Sequence, residues 1–366
     1  MHVHTRRLPM SGALIVEPVP ADISTHFEYL WHLVLRPGES IDAHWRVVAD
    51  GYIDVAMRVP LTLEVFDAAL RSGESPRAAA TLRDAIMAAD MVVCGAALAS
   101  RLMPMPGAIL VTGMRFRHGY AVGLLRASPS DLMDGSTPLR AVIGPRALSL
   151  SHTDLPSIVP AAPHTGDTVQ TTLQQAVESV IRSASRARLE SIARNLIGDA
   201  HIAAAIAPVD PRLRSAMRML DRRLRRDDAT IDGLAVRVAS AARSLGMSVR
   251  TLERLFADQL GMSARTYQRL GRVGVVAQWL EHDAAQARAG TRQGNVVTLS
   301  ALAQNVGYAD HAHMTREFVG AMGLPPSSFR REALETQILR LFGPVQFERG
   351  VPVGTVTRTS ALAERD

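Results

Sequence analysis

The chain has 366 residues, 47% of them hydrophobic and 21% charged, which allows more than one buried core and excludes wholesale disorder. All 41 basic residues are Arg, with no Lys, and against 35 acidic residues they leave a net charge of +6, a balance that suits an anionic partner. A single cysteine, Cys94, excludes an internal disulfide framework and a multi-thiolate metal site. No apolar run reaches the length of a membrane span. The start, Met1-His2-Val3-His4-Thr5-Arg6-Arg7, leads into proline-broken sequence rather than a signal core, so a cytoplasmic protein with no membrane partner is expected.

From about residue 23 to 150 the runs are strand-like. His32-Leu33-Val34-Leu35, Trp45-Arg46-Val47-Val48, Tyr52 to Met57 and Ala108 to Val111 are punctuated by Pro37-Gly38, Asp50-Gly51 and Pro106-Gly107. Residues 63–70 and 76–90, joined by Ser72-Gly73-Glu74-Ser75, have helical spacing, and a short helix is predicted over 120–125. Residues 1–150 are therefore expected to form a mainly β sensor or regulatory domain, for which a small cupin-like barrel is one arrangement. A Pro/Ser/Thr-rich passage, 151–166, reads as a linker. Beyond it, Leu173, Val177, Val180 and Ile181, then Leu189, Ile192, Leu196 and Ile197, fall on helix faces. Those faces suit either a second subunit or the chain's own core, and 151–209 is read as a connector.

The basic excess lies further on: residues 210–332 hold 19 Arg against 12 acidic residues. Within them a segment repeats. Leu245-Gly246-Met247-Ser248-Val249-Arg250-Thr251-Leu252-Glu253-Arg254-Leu255-Phe256 matches Val306-Gly307-Tyr308-Ala309-Asp310-His311-Ala312-His313-Met314-Thr315-Arg316-Glu317-Phe318. In both copies a Gly follows five residues after the Phe (Gly261, Gly323) and an aromatic six residues later (Tyr267, Phe329). Each copy reads as a helix-turn-helix. An apolar helix (238–245; 299–306) ends at a Gly suited to the left-handed conformation, and Ser248 or Asp310 caps the next helix. Leu252, Leu255 and Phe256, and in the second copy Met314 and Phe318, form its buried stripe. Arg250, Thr251 and Arg254, and His311, Ala312, Thr315 and Arg316, face outward.

These residues, with Gly323-Leu324-Pro325-Pro326-Ser327-Ser328-Phe329-Arg330, closely resemble the DNA-binding domain of AraC/XylS transcriptional regulators, over about 210–331. The resemblance implies two recognition helices entering successive major-groove segments, joined by a long helix expected at 264–281. Arg46 to Asp54 and Gly113 to Gly119 resemble an uncharacterised N-terminal regulatory domain of some members, one that names no effector. Two departures stand out: the segment 283–297 is longer and looser than the family's connection, and Gly271 and Gly274 sit in the joining helix, each costing about 1 kcal/mol relative to Ala. A flexible joint there would let one unit dock firmly without the other.

The expected fold is thus α+β, with an N-terminal mainly β domain, a helical linker, an all-α domain with two helix-turn-helix units at 210–335 and a tail at 336–366. The predicted DNA-contacting residues are Ser248, Val249, Arg250, Thr251 and Arg254 in the first unit and Asp310, His311, Ala312, Thr315 and Arg316 in the second, with Arg250 and Arg254 leading for base readout. Arg222, Arg223, Arg225 and Arg226 read either as a phosphate-positioning cluster or as a solvated face. Partners expected with that function are double-stranded DNA, RNA polymerase for an activator, a small-molecule effector and a second copy of the chain, with no cofactor.

Enzyme readings are weaker. His2/His4 and His311/His313 have metal-like spacing but sit at a terminus and across a helix. Cys94 reads as a small buried hydrophobe. Asp50 and Asp54 could work as an acid–base pair only if both faced one pocket, and Asp50-Gly51 reads more simply as a turn. Trp31 and Trp45 could line a cavity, though plain core is the simpler reading. No Walker loop or Gly-x-Ser-x-Gly elbow occurs.

Overall fold

The computed structural model describes residues 11–36, 44–47, 49–104, 107–144, 169–202, 209–221, 223–224, 231–232, 236–290 and 298–335. The predicted linker at 151–166, the tail at 336–366, His2 and His4, and Arg222, Arg225 and Arg226 all lie outside them; of Arg223 only the backbone is described.

The first part runs β1 (Ser11–Pro18), β2 (Phe27–Arg36), β3 (His44–Val47), β4 (Asp54–Pro60), α1 (Leu63–Arg71), α2 (Pro76–Ala88), β5 (Asp90–Cys94), β6 (Arg101–Pro104) and β7 (Ile109–Phe116). It continues with α3 (Tyr120–Leu125), a 3-10 turn (Pro129–Leu132), β8 (Ser136–Pro138) and α4 (Leu139–Ile143). Helices α1 and α2 start where hydroxyls accept free backbone N–H groups: Thr62 from Val65 at 3.2 Å and Ser75 from Ala78 at 3.3 Å, with Pro76 in the first turn.

Six strands form one antiparallel sheet in the order β1-β2-β7-β4-β5-β8, and β3 pairs with β6 in a separate ladder. Its outer strands β1 and β8 do not pair with each other, so the cupin-like barrel is corrected to an open sheet among the described residues. The pairing register decides what covers it. Leu30, Met114, Val55 and Val93 align across four strands on one face, and that apolar face packs on α1, α2 and the long helix α5 (Val169–Ile202) instead of curling on itself.

Helix α5 joins the two predicted helices into one. No Gly or Pro interrupts 182–188, and Ala184 and Ser185 are buried in its middle. Its Val177, Val180, Ile181, Leu189, Ile192 and Leu196 belong to the core formed with the sheet, so that stripe is occupied by its own chain rather than left for a second subunit. On the opposite sheet face Trp31 lies across Gly113, where an added Cβ would sit 2.2 Å from the indole; Trp31 is thus a core residue, 8% exposed. Nothing is described of the Trp45 side chain. Cys94 is half-buried on β5, less enclosed than its apolar neighbours suggested.

The second part is helical: α6 (Pro211–Leu220), α7 (Val238–Ser244), α8 (Val249–Leu260), α9 (Ala264–Ala289), α10 (Leu299–Val306), α11 (His311–Met322) and α12 (Pro326–Glu335). Helix α9 runs beyond its predicted end at 281 to Ala289 and stops at Gly290 in the left-handed conformation. Gly271 and Gly274 do not break it, because Val273, Val275, Val276 and Ala277 bind the same stretch to the core. The first half of the supposedly loose segment 283–297 is therefore helix, and 291–297 lies outside the described residues.

Candidate nucleic-acid interface

In the first unit, α7 ends at Ser244 with Leu245 as its cap, and Gly246 turns the chain with φ +64°, the Met247 N–H returning to the Ala242 carbonyl at 3.0 Å. Ser248 Oγ then accepts from the Thr251 N–H at 3.1 Å and shares a hydrogen bond with the Thr251 hydroxyl at 2.8 Å. In the second unit the turn falls at Gly307, φ +88°, and Asp310 accepts from the His313 N–H at 2.6 Å. The duplication also holds in the core: Phe256 meets Tyr267 edge-on at 5.3 Å, and Phe318 meets Phe329 edge-on at 5.2 Å, at equivalent places in the two units.

Burial sorts the side chains of α8 and α11. Leu252, Phe256 and Leu260 are buried in α8, and Met314, Phe318, Ala321 and Met322 in α11; Leu255 is only half-buried. The predicted contact residues Ser248, Arg250, Arg254, Asp310, His311, Ala312 and Arg316 are exposed, and Val249, Thr251 and Thr315 are half-buried beside them. His311 and Thr315 lie one turn apart, Nε2 to Oγ1 3.4 Å. Among the described residues no carboxylate lies within ion-pair distance of Arg250, Arg254 or Arg316. His313 turns back to its own helix, 3.4 Å from Glu317 and edge-on to Tyr308, so His311 and His313 do not converge on one ligand.

Sequence reasoning missed how both recognition helices are held. Their C-terminal ends rest on one platform made by residues 95–100 and 128–135 of the N-terminal part, which are bonded to each other: Ala96 N–H donates to the Leu132 carbonyl and Leu98 N–H to Asp134. Gly261, which ends α8 with φ +75°, lies so close to the Pro129 carbonyl that a Cβ would sit 2.8 Å from its oxygen. At the end of α11, the Ser100 N–H donates to the Ala321 carbonyl and its hydroxyl to the Met322 carbonyl, both at 2.6 Å.

A buried polar cluster reinforces this junction. Asp50 and Asp54 do face one place, but Arg115 fills it: its Nη2 donates to Asp50 at 2.8 Å and to Asp54 at 2.9 Å, its Nε to Asp54 at 3.0 Å, and Trp31 Nε1 also reaches Asp54 at 3.1 Å. Asp50 keeps its turn role as well, accepting from the Tyr52 N–H at 3.2 Å. Burial, with Asp54 adding to it and Arg115 opposing, pushes the Asp50 carboxyl up to about 6. The Arg115 guanidinium covers the Tyr52 ring, Tyr52 stacks on His118, His118 meets Tyr267 edge-on at 5.4 Å, and the Tyr267 hydroxyl donates to Asp221 at 2.6 Å. An arginine on β7 is thereby tied to α9 through rings alone. Burial and then the Arg115 charge hold the His118 imidazole down at about 3.

Two capped hairpins in tandem, with opposed buried and exposed faces, define a double helix-turn-helix module. Residues 241–332 match the model of the family described as a helix-turn-helix domain, and the chain carries a domain of this AraC type near its C-terminal end. No curated protein matches the chain. Among solved structures, ToxT from Vibrio cholerae is 9% identical, with 88% of this chain and 97% of that one covered and a TM-score of 0.32; its unsaturated fatty acid-bound form is 11% identical, covering 88% and 95%, also at 0.32. Among the described residues no helix is long and apolar enough to cross a membrane.

Proposed function

We propose that the chain is a sequence-specific, non-enzymatic transcription regulator. Its helices α8 and α11 enter successive major-groove segments of double-stranded DNA, and its N-terminal part (1–150) controls how they are presented through the connector 151–209. The observation that carries this reading is that both helices offer exposed cationic or imidazole side chains that no carboxylate among the described residues binds, on otherwise well-packed units. Arg250 and Arg254 are the proposed base readers of the first unit, each able to grip guanine O6 and N7; His311 and Arg316 take that part in the second. Ser248, Val249, Thr251, Asp310, Ala312 and Thr315 frame the contacts at the helix starts. Such a regulator would act in the cytoplasm, contact RNA polymerase if it activates, and respond to a small effector bound by the N-terminal domain.

Selection of bound duplexes from a random pool by the full chain tests this. Two half-motifs about one helical turn apart support engagement of both units; no enrichment of any sequence refutes sequence-specific binding. Arg254→Ala is expected to weaken the selected duplex far more than random duplex, and equal losses remove Arg254 from base readout. A second reading, in which the N-terminal domain serves only assembly or protein contacts, is supported by the direct contacts of its platform with both helix ends. A metabolite that raises thermal stability decides for the effector.

A further inference from the structure

Between the two recognition helices lies a cleft of about 490 Å³ whose lining includes Arg237, Val249, Arg265, Arg269, Arg272 and Glu317. Val249 is the first residue of α8, next to Arg250, and Glu317 follows Arg316 on α11, so the cleft opens between the two proposed reading faces. Its floor is α9, where Arg265, Arg269 and Arg272 recur at spacings of four and three residues and share one face of the helix. Its side wall is the start of α7, which Gln268 pins to α9 by donating to the Val236 carbonyl at 2.5 Å.

The charge in this cleft is not balanced. Arg272 is held by both Glu317 oxygens at 3.0 Å, and Arg265, largely exposed, stands 3.5 Å from Glu253. Arg237 and Arg269 have no carboxylate within ion-pair distance among the described residues, and the buried Nε of Arg269 has no acceptor. A protein surface does not keep guanidinium groups together at a cavity wall without cost unless an anion is available to answer them.

We infer that this cleft grips the duplex backbone between the two major-groove segments, with Arg237 and Arg269 holding phosphodiester oxygens and Arg265 assisting. This rests on the proposed DNA-binding function and adds to it a site without sequence preference. A duplex that reaches α8 and α11 at once crosses the space between them, and phosphate contacts there fix orientation while the flanking helices read bases. Arginine suits the task, since its planar fork matches phosphate geometry.

The test is binding of the full chain to random and to selected duplex across a salt series, for wild type, Arg237→Gln, Arg269→Gln and Arg269→Lys, with Arg83→Gln on α2 as a distant charge control. Each Gln variant is expected to reduce the slope of log affinity against log salt by about 0.9 and to weaken both duplexes alike, about fivefold at 0.15 M salt; Arg269→Lys and Arg83→Gln keep the wild-type slope. Arg237 is exposed at the start of α7, so its variant remains informative should Arg269→Gln fold poorly. Unchanged slopes overturn the assignment, as does a loss confined to the selected duplex, which would make these residues base readers. Stabilisation by inorganic phosphate at matched ionic strength, without any change of slope, would mark a free-anion site and also overturn it. A wild-type chain that binds no duplex at low salt sinks the DNA-binding reading itself, an outcome separate from all of these.

Discussion

Substitution of Gly261 by Ala isolates the grip of the N-terminal platform on the first recognition helix. Two costs arise at that position. The left-handed backbone, φ +75°, disfavours any Cβ by about 1–2 kcal/mol, and the new methyl would stand 2.8 Å from the Pro129 oxygen and 3.0 Å from both its carbonyl carbon and the Met133 sulfur. The first two are backbone atoms, so the segment must move, adding about 1–3 kcal/mol of the kind seen for overpacked cores. Gly246 supplies the control: it has φ +64° in the turn of the same unit, and a Cβ there meets nothing within 4 Å. Gly246→Ala therefore carries the conformational cost alone. In urea unfolding of the full chain, Gly261→Ala is expected to lose about 1–3 kcal/mol more than Gly246→Ala, and to show faster proteolysis between the platform and α8. Equal losses in the two variants would refute the contact and with it the shared mounting of the recognition helices.

Asp54→Ala strips Arg115 of its bidentate partner in a site where Arg115 is 2% exposed, and a loss of about 3–5 kcal/mol in thermal or urea unfolding is expected; Arg115→Met with Asp54→Leu should recover much of it. Acid acts on the junction through His118 against an opposing contribution from Asp50. Its folded imidazole stays neutral down to about 3 while the unfolded one takes a proton near 6.5, so its contribution, present above pH 6.5, is lost as pH falls toward 3, by about 2.5 kcal/mol between pH 7 and 4.5; the raised Asp50 carboxyl works the other way over the same range, and comparison with His118→Phe separates the two. Urea unfolding of both chains at pH 7 and 4.5 checks this: wild type is expected to lose about 2.5 kcal/mol more than His118→Phe over that range. Asp310→Ala removes the cap on the His313 N–H and is expected to cost about 1 kcal/mol and to weaken binding by the second unit, as read by unfolding and duplex titration side by side.

The helical hairpins were legible in the sequence because their determinants are local. A Gly, a capping side chain three residues before the N–H it serves, and apolar residues at helical spacing all lie within a dozen positions, and both Ser248 and Asp310 cap as expected. The sheet was half legible: β2, β4 and β7 carried clear strand signals, whereas β1, β5 and β8 are defined by partners elsewhere in the chain. Asp50 and Asp54 were visible as neighbours, but not that Arg115, 61 positions beyond Asp54, would occupy the space between them. Ser100 lies 222 positions from the helix end it caps, and nothing around it announces that role. The arginines of α9 recur visibly at 265, 269 and 272, yet only the fold brings Arg237 and Glu317 around them.

Because α8 and α11 end on the same pair of N-terminal loops, a shift of those loops would be felt at both helices at once, in addition to the spacing that α9 and the shared core already give them. Grafting residues 236–335 onto an unrelated partner would keep the core shared by α7 to α12 and lose this second tether. Substitutions at 95–100 or 128–135 would then reach both helix ends at once from far away in sequence.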